Sequence, residues 1–279
     1  MRQLAAARGW RVTITSEDIC LTRGERTIWL KATEIYVLLF SFDAVETRSL
    51  VEKRQGRWVS DLRGPARYRT TRTSDVFWIR KLIDLHNPVD GYLLRGDPAP
   101  GDLVFDAGAF EGEFCLVAAR LVGPSGRVVA FEPDPENRVW LERNICEAGI
   151  TNITICPCGL WSDSTEIEFA ADGTCGSRAA VFEDSGVDSS GIQVLGLAEA
   201  ADQFGVPDFI KMDIEGAEIE VIKGAASWLT QHAVRFAIAS YHERDGQITS
   251  ELLEPMFRKV GYEAATGYPE HRTTWAWRS

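Results

Sequence analysis

The feature that most constrains the fold of this chain is an alternation of short apolar segments with amphipathic segments, beginning at residue 102. Residues 103–105 form a continuous apolar run, as expected of a strand covered on both faces, and apolar side chains then recur at helical spacing over 114–121. Helices are also predicted from the cap Asp134 and Pro135 onward, near 216–229 and over 249–260. The apolar strand pattern returns at 128–131, 153–155, 209–212 and 234–239. Repeated strand–helix units predict an α/β fold with a doubly wound, mostly parallel sheet.

The N-terminal part of the chain lacks this alternation. Short alternating segments separated by turn residues predict a small β-rich module over residues 1–74, with strands at 11–15, 19–21, 27–30 and 57–59. Apolar residues at helical spacing then predict a helix over 75–85. We therefore expect two parts, a module over 1–74 and a main domain over 75–279.

The balance of charge narrows the class of protein. The 279 residues carry 30 Lys and Arg against 41 Asp and Glu, a net charge of −11, which argues against a nucleic-acid binder. Residues 48–81 are an exception, because they hold ten basic and three acidic side chains. This stretch is expected to be a solvated face or a docking surface for the main domain. The alternative is a contact for an anionic acceptor.

Targeting and redox signals point to a cytoplasmic protein. The N-terminus has no apolar core of signal-peptide length, and the longest early apolar run, residues 35–40, is far too short to span a bilayer. The six cysteines show no zinc-site spacing, so most are expected to be buried thiols. A metal or redox role for Cys156 and Cys158 is the alternative.

The strongest local signal is the turn at 106–112, which directly follows the first strand of the main domain. Its two glycines, Gly108 and Gly112, allow a sharp turn and the close approach of a ligand. Glu132 ends the next strand, where a carboxylate can accept hydrogen bonds from ribose hydroxyls. Asp106 stands where a nicotinamide-binding turn has glycine, and a carboxylate there disfavours pyrophosphate but suits the cationic amino-acid end of S-adenosylmethionine. The alternative is a turn that only packs a helix on a strand.

A second signal lies at 208–218, where an apolar strand ends in a group of acids. Asp213 is predicted at the carboxyl end of that strand, pointing into the same crevice. Glu215 and Glu218 precede or begin a helix, so stabilisation of the helix N-terminus is an alternative role for them.

Together, the segments 106–112, 131–137 and 210–218 resemble the FkbM family of class I S-adenosylmethionine-dependent methyltransferases. The resemblance covers about residues 75–265. It implies a Rossmann-like, seven-stranded, mostly parallel sheet with one antiparallel strand near the end, supplied by residues 275–277 or 262–264. It also implies O-methylation of a hydroxyl on a sugar, glycan or natural product.

Site residues follow from this resemblance position by position. The turn would hold the methionine end of the cofactor, Glu132 its ribose, and residues 159–163 would lie near adenine. Asp213 would lie beside the sulfonium. The cofactor-binding residues implied in this way are Asp106, Gly108, Ala109, Phe110, Gly112, Glu132, Pro133, Gly159, Leu160 and Asp213.

Three side chains are candidates for taking the proton of a hydroxyl acceptor: Asp213, Glu215 and His242. His242 follows the fifth strand, and with an ordinary pKa of about 6.5 it is expected to be largely neutral and able to accept a proton. The alternative is a surface histidine paired with Glu243. The same three residues offer oxygen and nitrogen ligands for a divalent metal, but a metal-free site is favoured. His86, His232 and His271 are assigned structural roles.

Two other functions remain open for such a chain. One is methylation of nitrogen in a small molecule, although the sequence lacks the Asn/Asp-Pro-Pro-Tyr signature of methylases that act on the exocyclic amines of bases. The other is a non-catalytic methyltransferase fold kept for binding a partner. The loop at 172–191 is expected to close over the crevice during turnover. The expected partner is a small-molecule or glycan acceptor, with no nucleic acid.

Overall fold

A computed structural model describes residues 2–34, 42, 45, 47–70, 72–80, 88–170, 178–179, 190–244, 246–269 and 271–278. The chain forms two compact units, Met1–Asn87 and Pro88–Ser279. The sequence places the division at 74/75, whereas the units divide between Asn87 and Pro88.

The first unit is built mainly of strands, as its sequence pattern predicts. Its elements are α1 (Arg2–Ala7), β1 (Arg11–Ile14), β2 (Asp18–Arg23), β3 (Arg26–Lys31), a 3-10 turn (Ala32–Glu34), β4 (Glu52–Arg54), β5 (Arg57–Asp61), β6 (Ala66–Arg69) and β7 (Val76–Ile79). A five-stranded sheet has the order β1-β2-β3-β5-β4, and it is antiparallel except between β3 and β5. A separate ribbon pairs β6 with β7. Side chains of β2 and β3 alternate between buried and partly exposed, so one face of the sheet packs on the unit's core.

The helix predicted over 75–85 is wrong where the structure describes it. Val76–Ile79 is a strand paired with Ala66–Arg69, and its side chains alternate between half-buried and buried. All four residues at 76–79 are apolar, so this run fits a strand as well as a helix, and pairing with β6 decides for the strand. Residues 81–87, and the apolar run at 35–40, lie outside the described residues.

The second unit contains the expected seven-stranded sheet. Its strands are β8 (Leu103–Ala107), β9 (Arg127–Phe131), β10 (Ile153–Cys156), β15 (Phe209–Met212), β16 (Arg235–Ala239), β19 (Glu263–Gly267) and β20 (Thr273–Trp277). They have the order β10-β9-β8-β15-β16-β20-β19, and strands β8, β9, β10, β15 and β16 are parallel. β20 runs antiparallel to both neighbours, so residues 275–277 lie in the reversed strand and β19 forms the edge. This topology confirms the doubly wound class I fold.

Helices follow the strands as the periodicity predicts. Asp134 caps its helix, because its side chain accepts the backbone N–H groups of Glu136 and Asn137, and Pro135 occupies the first helical position. The helices of this unit are α2 (Pro88–Tyr92), α3 (Glu113–Val122), α4 (Pro135–Ala148), α5 (Leu197–Phe204), α6 (Glu218–Gly224), α7 (Ala226–Leu229) and α8 (Thr249–Lys259). Among the described residues, no helix has the length and apolarity needed to cross a membrane.

A second, small sheet was not predicted from the sequence. It has the order β11-β14-β12-β13, with strands β11 (Gly159–Trp161), β12 (Thr165–Ala170), β13 (Arg178–Ala179) and β14 (Ser190–Gly196). A short hairpin, β17 (Glu243–Arg244) with β18 (Gln247–Ile248), follows the fifth strand of the main sheet. Residues 171–177 and 180–189, which hold most of the loop expected to close over the crevice, lie outside the described residues.

The core of the second unit lies around the parallel strands. Every residue of β8 and β15 is buried, including the polar Asp106 and Lys211. Phe105 and Phe131 pack edge to face with a centroid separation of 5.1 Å. Since both faces of these strands are covered, only their carboxyl ends are open to a ligand.

Candidate functional site

The carboxyl ends of β8, β9, β15 and β16 bring the predicted segments to one edge of the sheet. Met212 pairs with Ala107 on one side and with Ile238 on the other, so the turn after β8 lies beside the segment after β15. The backbone N–H of Asp213 donates to the carbonyl of Ala107 at 3.0 Å, which ties the two ends together.

The first turn is shaped by close backbone approach. Gly108 has a φ of 74°, and a β-carbon added there would lie 1.8 Å from the carbonyl oxygen of Asp213. The N–H groups of Gly108 and Ala109 both donate to the carbonyl of Phe131, at 3.0 and 3.1 Å. Gly112, with a φ of 94°, precedes helix α3. Glycine is therefore required at Gly108 by both its φ and its surroundings.

Asp106 is fully buried beneath this turn and is paired inside the protein. Its Oδ1 lies 3.0 Å from Lys211 Nζ, and its Oδ2 accepts the Cys115 thiol at 2.9 Å. Lys211 also donates to the carbonyl of Gly108 at 2.7 Å. Burial alone would lower the pKa of Lys211, but the nearby carboxylates of Asp106 and Asp213 hold it above its usual value. Because Lys211 balances the charge of Asp106, that charge does not by itself select a cationic ligand.

Glu132 lies beside the first turn, as the sequence predicts. Its Oε2 accepts the N–H of Phe110 at 2.7 Å, and its Oε1 accepts from Asp134 N and Asn137 Nδ2 at 3.0 and 3.2 Å. Phe110 holds a left-handed φ of 50°, which is uncommon for a residue with a β-carbon. Burial raises the pKa of Glu132, although these hydrogen bonds oppose the shift.

The segment predicted near adenine begins at β11. A β-carbon added at Gly159 would lie 3.3 Å from Val194 and 3.9 Å from Pro133, so this strand lies close to the tip of β9. Leu160 is buried. The tips of β8 and β9 and the start of β11 thus neighbour one another along the sheet edge.

Asp213 stands at the tip of β15 among groups that favour its charged form. The hydroxyl of Tyr92 donates to Oδ2 at 2.8 Å. Burial by itself would raise the pKa of Asp213, but Lys211, His242 and His271 together hold it below its usual value. The carboxylate is therefore ionised at neutral pH and keeps 21% of its side-chain surface exposed.

His242 is enclosed by three carboxylates. Its Nε2 lies 3.6 Å from Asp213 Oδ1 and 3.4 Å from Glu215 Oε2, and its Nδ1 lies 3.4 Å from Glu218 Oε1. Burial works against its charge, but the carboxylates prevail and raise the pKa of His242 to about 11. The expectation of a largely neutral His242 is therefore wrong, and the ring carries a charge unless another cation replaces its proton.

The two glutamates of the third motif occupy different settings. Glu218 is fully buried, and its Oε1 accepts the N–H of Ile214 at 2.9 Å, just before helix α6. Glu215 keeps 24% of its side-chain surface exposed and holds a left-handed φ of 57°. Burial raises the pKa of Glu215, although His242 opposes the shift. The alternative of a surface His242 paired with Glu243 is also wrong, since the His242 side chain is only 9% exposed.

Comparison with known protein families shows to which family this chain belongs. The sequence profile of the methyltransferase FkbM domain matches residues 106–264. The chain belongs to the FkbM methyltransferase family. The match begins at Asp106 and includes all three motifs singled out above, whereas the first unit lies outside it.

Three known proteins are similar to this FkbM-family chain. The hexuronic acid methyltransferase AglP of Haloferax volcanii is 28% identical over 192 residues, covering 66% of this chain and 74% of AglP. The crystal structure of an FkbM methyltransferase from Methylobacillus flagellatus KT is 22% identical with a TM-score of 0.45, and covers 63% of this chain but only 43% of that longer protein. A precorrin-6Y C5,15-methyltransferase from Geobacter metallireducens GS-15 is 15% identical with a TM-score of 0.44, over 72% of this chain and 88% of that one.

The structure brings three residues that sequence reasoning missed close to the predicted site of this FkbM-family chain. His271, for which the sequence predicts a structural role, has its Nε2 4.0 Å from Asp213 Oδ2 and so lies beside the predicted site. Tyr92 and Lys211 complete the surroundings of Asp213. The only sequence signal among the three is Lys211, a charge inside an otherwise apolar strand. His232 does have a structural setting, because it stacks on Trp228 and contacts its carbonyl at 2.9 Å, and His86 lies outside the described residues.

The described cysteines differ in their exposure to solvent. Among the described cysteines, Cys115 and Cys156 are buried, Cys20 and Cys158 are half-buried, and Cys146 is exposed. Burial and the neighbouring Cys158 raise the pKa of Cys156 to about 12, which keeps it an unreactive thiol.

In the first unit, residues of the stretch 48–81 line a cavity of about 290 Å³. Several of its arginines are paired with carboxylates, as in Arg63 with Asp61 and Asp18, and Arg54 with Glu52.

Proposed function

We propose that this protein transfers a methyl group from S-adenosylmethionine to a hydroxyl of a sugar, glycan or natural-product acceptor. The observation that carries the proposal is the group Asp213, Glu215 and His242, gathered at the sheet edge directly beside the glycine turn. Membership of a methyltransferase family supports the reaction. The relative AglP, named a hexuronic acid methyltransferase, supports a sugar acceptor.

The cofactor is proposed to lie along the tips of β8, β9 and β11. The turn from Asp106 to Gly112, including Ala109 and Phe110, would approach its methionine end. Glu132 would accept a ribose hydroxyl, since a carboxylate offers about four acceptor positions and the chain fills three of them. Pro133, Gly159 and Leu160 would border the adenine.

The acceptor is proposed to enter beside Asp213 and Glu215. Methyl transfer is an in-line displacement, so alignment of the hydroxyl with methyl and sulfur supplies much of the rate. The hydroxyl proton must leave as attack proceeds. Glu215 suits this step best among the three, because its pKa is raised and its carboxylate is partly exposed, whereas His242 already holds a proton.

An exposed aromatic side chain stands at the mouth of the proposed acceptor site. Tyr241 is 44% exposed, and its ring lies 4.3 Å from that of His242 and 4.8 Å from that of His271. Pockets for small molecules typically combine such rings with a few polar groups. A flat sugar ring would contact Tyr241 while one of its hydroxyls reaches the carboxylates.

Glu132→Gln is expected to weaken S-adenosylmethionine binding about tenfold, the effect of losing one charge-assisted hydrogen bond of about 1.5 kcal/mol. The replacement also puts an amide NH2 against one of the N–H donors that the two Glu132 oxygens accept in the native protein, so the midpoint of thermal unfolding should fall as well, and the affinity is measured under conditions where the variant is folded. Isothermal titration calorimetry measures the affinity. Glu136→Gln, one turn away on helix α4, is the matched control and should bind like the native protein. Absence of S-adenosylmethionine binding by the native protein would count against the proposal and favour a non-catalytic binding module.

Glu215→Gln is expected to lower kcat about 100-fold with little change in cofactor affinity, which is the lower range for loss of a general base. The measurement follows radioactive methyl transfer to a panel of neutral sugars, uronic acids and amines. Glu243→Gln, on the exposed hairpin, is the control. Stable methyl ethers in the product support the proposal, and methylated amines alone would establish the N-methyltransferase instead.

A further inference from the structure

One oxygen or nitrogen atom from each of Asp213, Glu215 and His242 lies within 4.8 Å of the other two. The three atoms come from two different strand tips, since Asp213 and Glu215 follow β15 and His242 follows β16. Two carboxylates and an imidazole converging in this way form a donor set for a divalent cation.

The distances between these atoms are longer than hydrogen bonds and similar to those between the ligands of one metal ion. His242 Nε2 lies 3.6 Å from Asp213 Oδ1 and 3.4 Å from Glu215 Oε2, whereas N–H···O hydrogen bonds have lengths of about 2.7–3.2 Å. Ligands about 2.1 Å from a shared cation lie about 3.4 Å apart in tetrahedral geometry and about 3.0 Å apart when adjacent in octahedral geometry. The two separations from His242 Nε2 therefore match those between ligands of one shared cation.

The histidine is the second observation. Its side chain is 9% exposed, and within the described part of the chain neither ring nitrogen forms a hydrogen bond, nor does Asp213 Oδ1. Three carboxylate oxygens face the ring at 3.4–3.6 Å without forming a well-aligned hydrogen bond, and because buried polar atoms almost always form one, this gap calls for an explanation. A bound cation would supply it for Nε2 and for Asp213 Oδ1 at once.

The surrounding contacts resemble the outer shell of a metal centre. Glu218 Oε1 lies 3.4 Å from His242 Nδ1 and is fixed by the N–H of Ile214 at 2.9 Å. The Tyr92 hydroxyl donates to Asp213 Oδ2 at 2.8 Å and leaves Oδ1 toward the histidine. Metal-bound histidines and carboxylates are commonly oriented by such partners.

The geometry points to a divalent first-row transition-metal site formed by Asp213, Glu215 and His242, with Glu218 orienting the histidine. The imidazole suits first-row transition metals such as Fe²⁺ and Zn²⁺, and the two carboxylates also suit Mn²⁺, whereas Mg²⁺ prefers oxygen ligands alone. If the proposed methyl transfer is correct, the cation would lower the pKa of an acceptor hydroxyl beside it. Binding of the ion itself does not depend on that function.

The test is a titration of the purified 279-residue chain with Mn²⁺, without cofactor or acceptor, in which electron paramagnetic resonance measures the free ion. We expect one bound Mn²⁺ per chain, and at least tenfold weaker binding in His242→Gln and in Glu215→Gln. His232→Gln is the matched control and should bind like the native protein, because that ring stacks on Trp228. Circular dichroism shows which variants remain folded.

Two results would overturn the site: a free Mn²⁺ signal that rises in proportion to added metal, or equal binding by the folded native, His242→Gln and Glu215→Gln proteins. In either case His242 would be a protonated ring held by its three carboxylates. Methyl transfer that persists after chelation would then leave the proposed function standing without the metal. Bound Mn²⁺ in a protein that methylates nothing would support the site and count against the function.

Discussion

Replacing Lys211 with methionine is expected to lower the free energy of unfolding by about 3–5 kcal/mol, because it leaves a buried carboxylate without its counter-ion. Lys211 and Asp106 are 6% and 0% exposed at their side chains, with Nζ and Oδ1 3.0 Å apart. Water cannot reach Asp106 to replace the lysine, and the only hydrogen bond described for that carboxylate comes from the thiol of Cys115. Urea unfolding followed by circular dichroism measures the change.

The matched control for this change is Lys223→Met. Lys223 pairs with Glu220 at 3.2 Å, but its side chain is 57% exposed, so the loss should stay below about 1 kcal/mol. Adding Asp106→Asn to Lys211→Met should restore part of the stability, since the stranded charge is removed. A loss in Lys211→Met no larger than that in Lys223→Met would show that the buried pair contributes nothing to the fold.

The strand tips were predictable from sequence because each rests on a local pattern. The run at 103–105 is short, continuous and apolar, and 209–212 is apolar except for Lys211, as expected of strands in a sheet covered on both faces. Once the strands are parallel and neighbouring, their carboxyl ends must meet, which brings Glu132 beside the first turn and Asp213 beside His242. The predicted neighbourhood therefore followed from topology alone.

The charge states within the site were not predictable, because they depend on register across the sheet. Lys211 meets Asp106 only because β15 pairs with β8 so that these two residues are opposite one another. His271 reaches Asp213 from just before the reversed strand β20. The pKa of His242 reflects three carboxylates whose distances to the ring arise only in the folded chain. A sequence motif identifies the residues of the site, but it does not show which charged side chains lie next to them in the folded chain.

Gly108→Ala is expected to reduce stability by about 2–5 kcal/mol, combining overpacking of about 1–3 kcal/mol with a left-handed backbone conformation worth about 1–2 kcal/mol. The added β-carbon would lie 1.8 Å from the carbonyl oxygen of Asp213. Neither backbone is free to retreat, because Gly108 N donates to Phe131 O and Asp213 N donates to Ala107 O, both at 3.0 Å. Urea unfolding measures the loss.

Gly149→Ala separates the two contributions. Gly149 has a similar φ of 62°, but a β-carbon there would meet nothing within 4 Å, so only the backbone penalty of about 1–2 kcal/mol applies. Gly108→Ala should lose clearly more than Gly149→Ala, and any folded fraction should bind S-adenosylmethionine weakly, because separating the turn from Asp213 moves the cofactor side of the proposed site away from its acceptor side. Equal losses in the two variants, with cofactor binding intact, would mean that the turn tolerates the separation and that the close approach of Gly108 to Asp213 is not needed for binding.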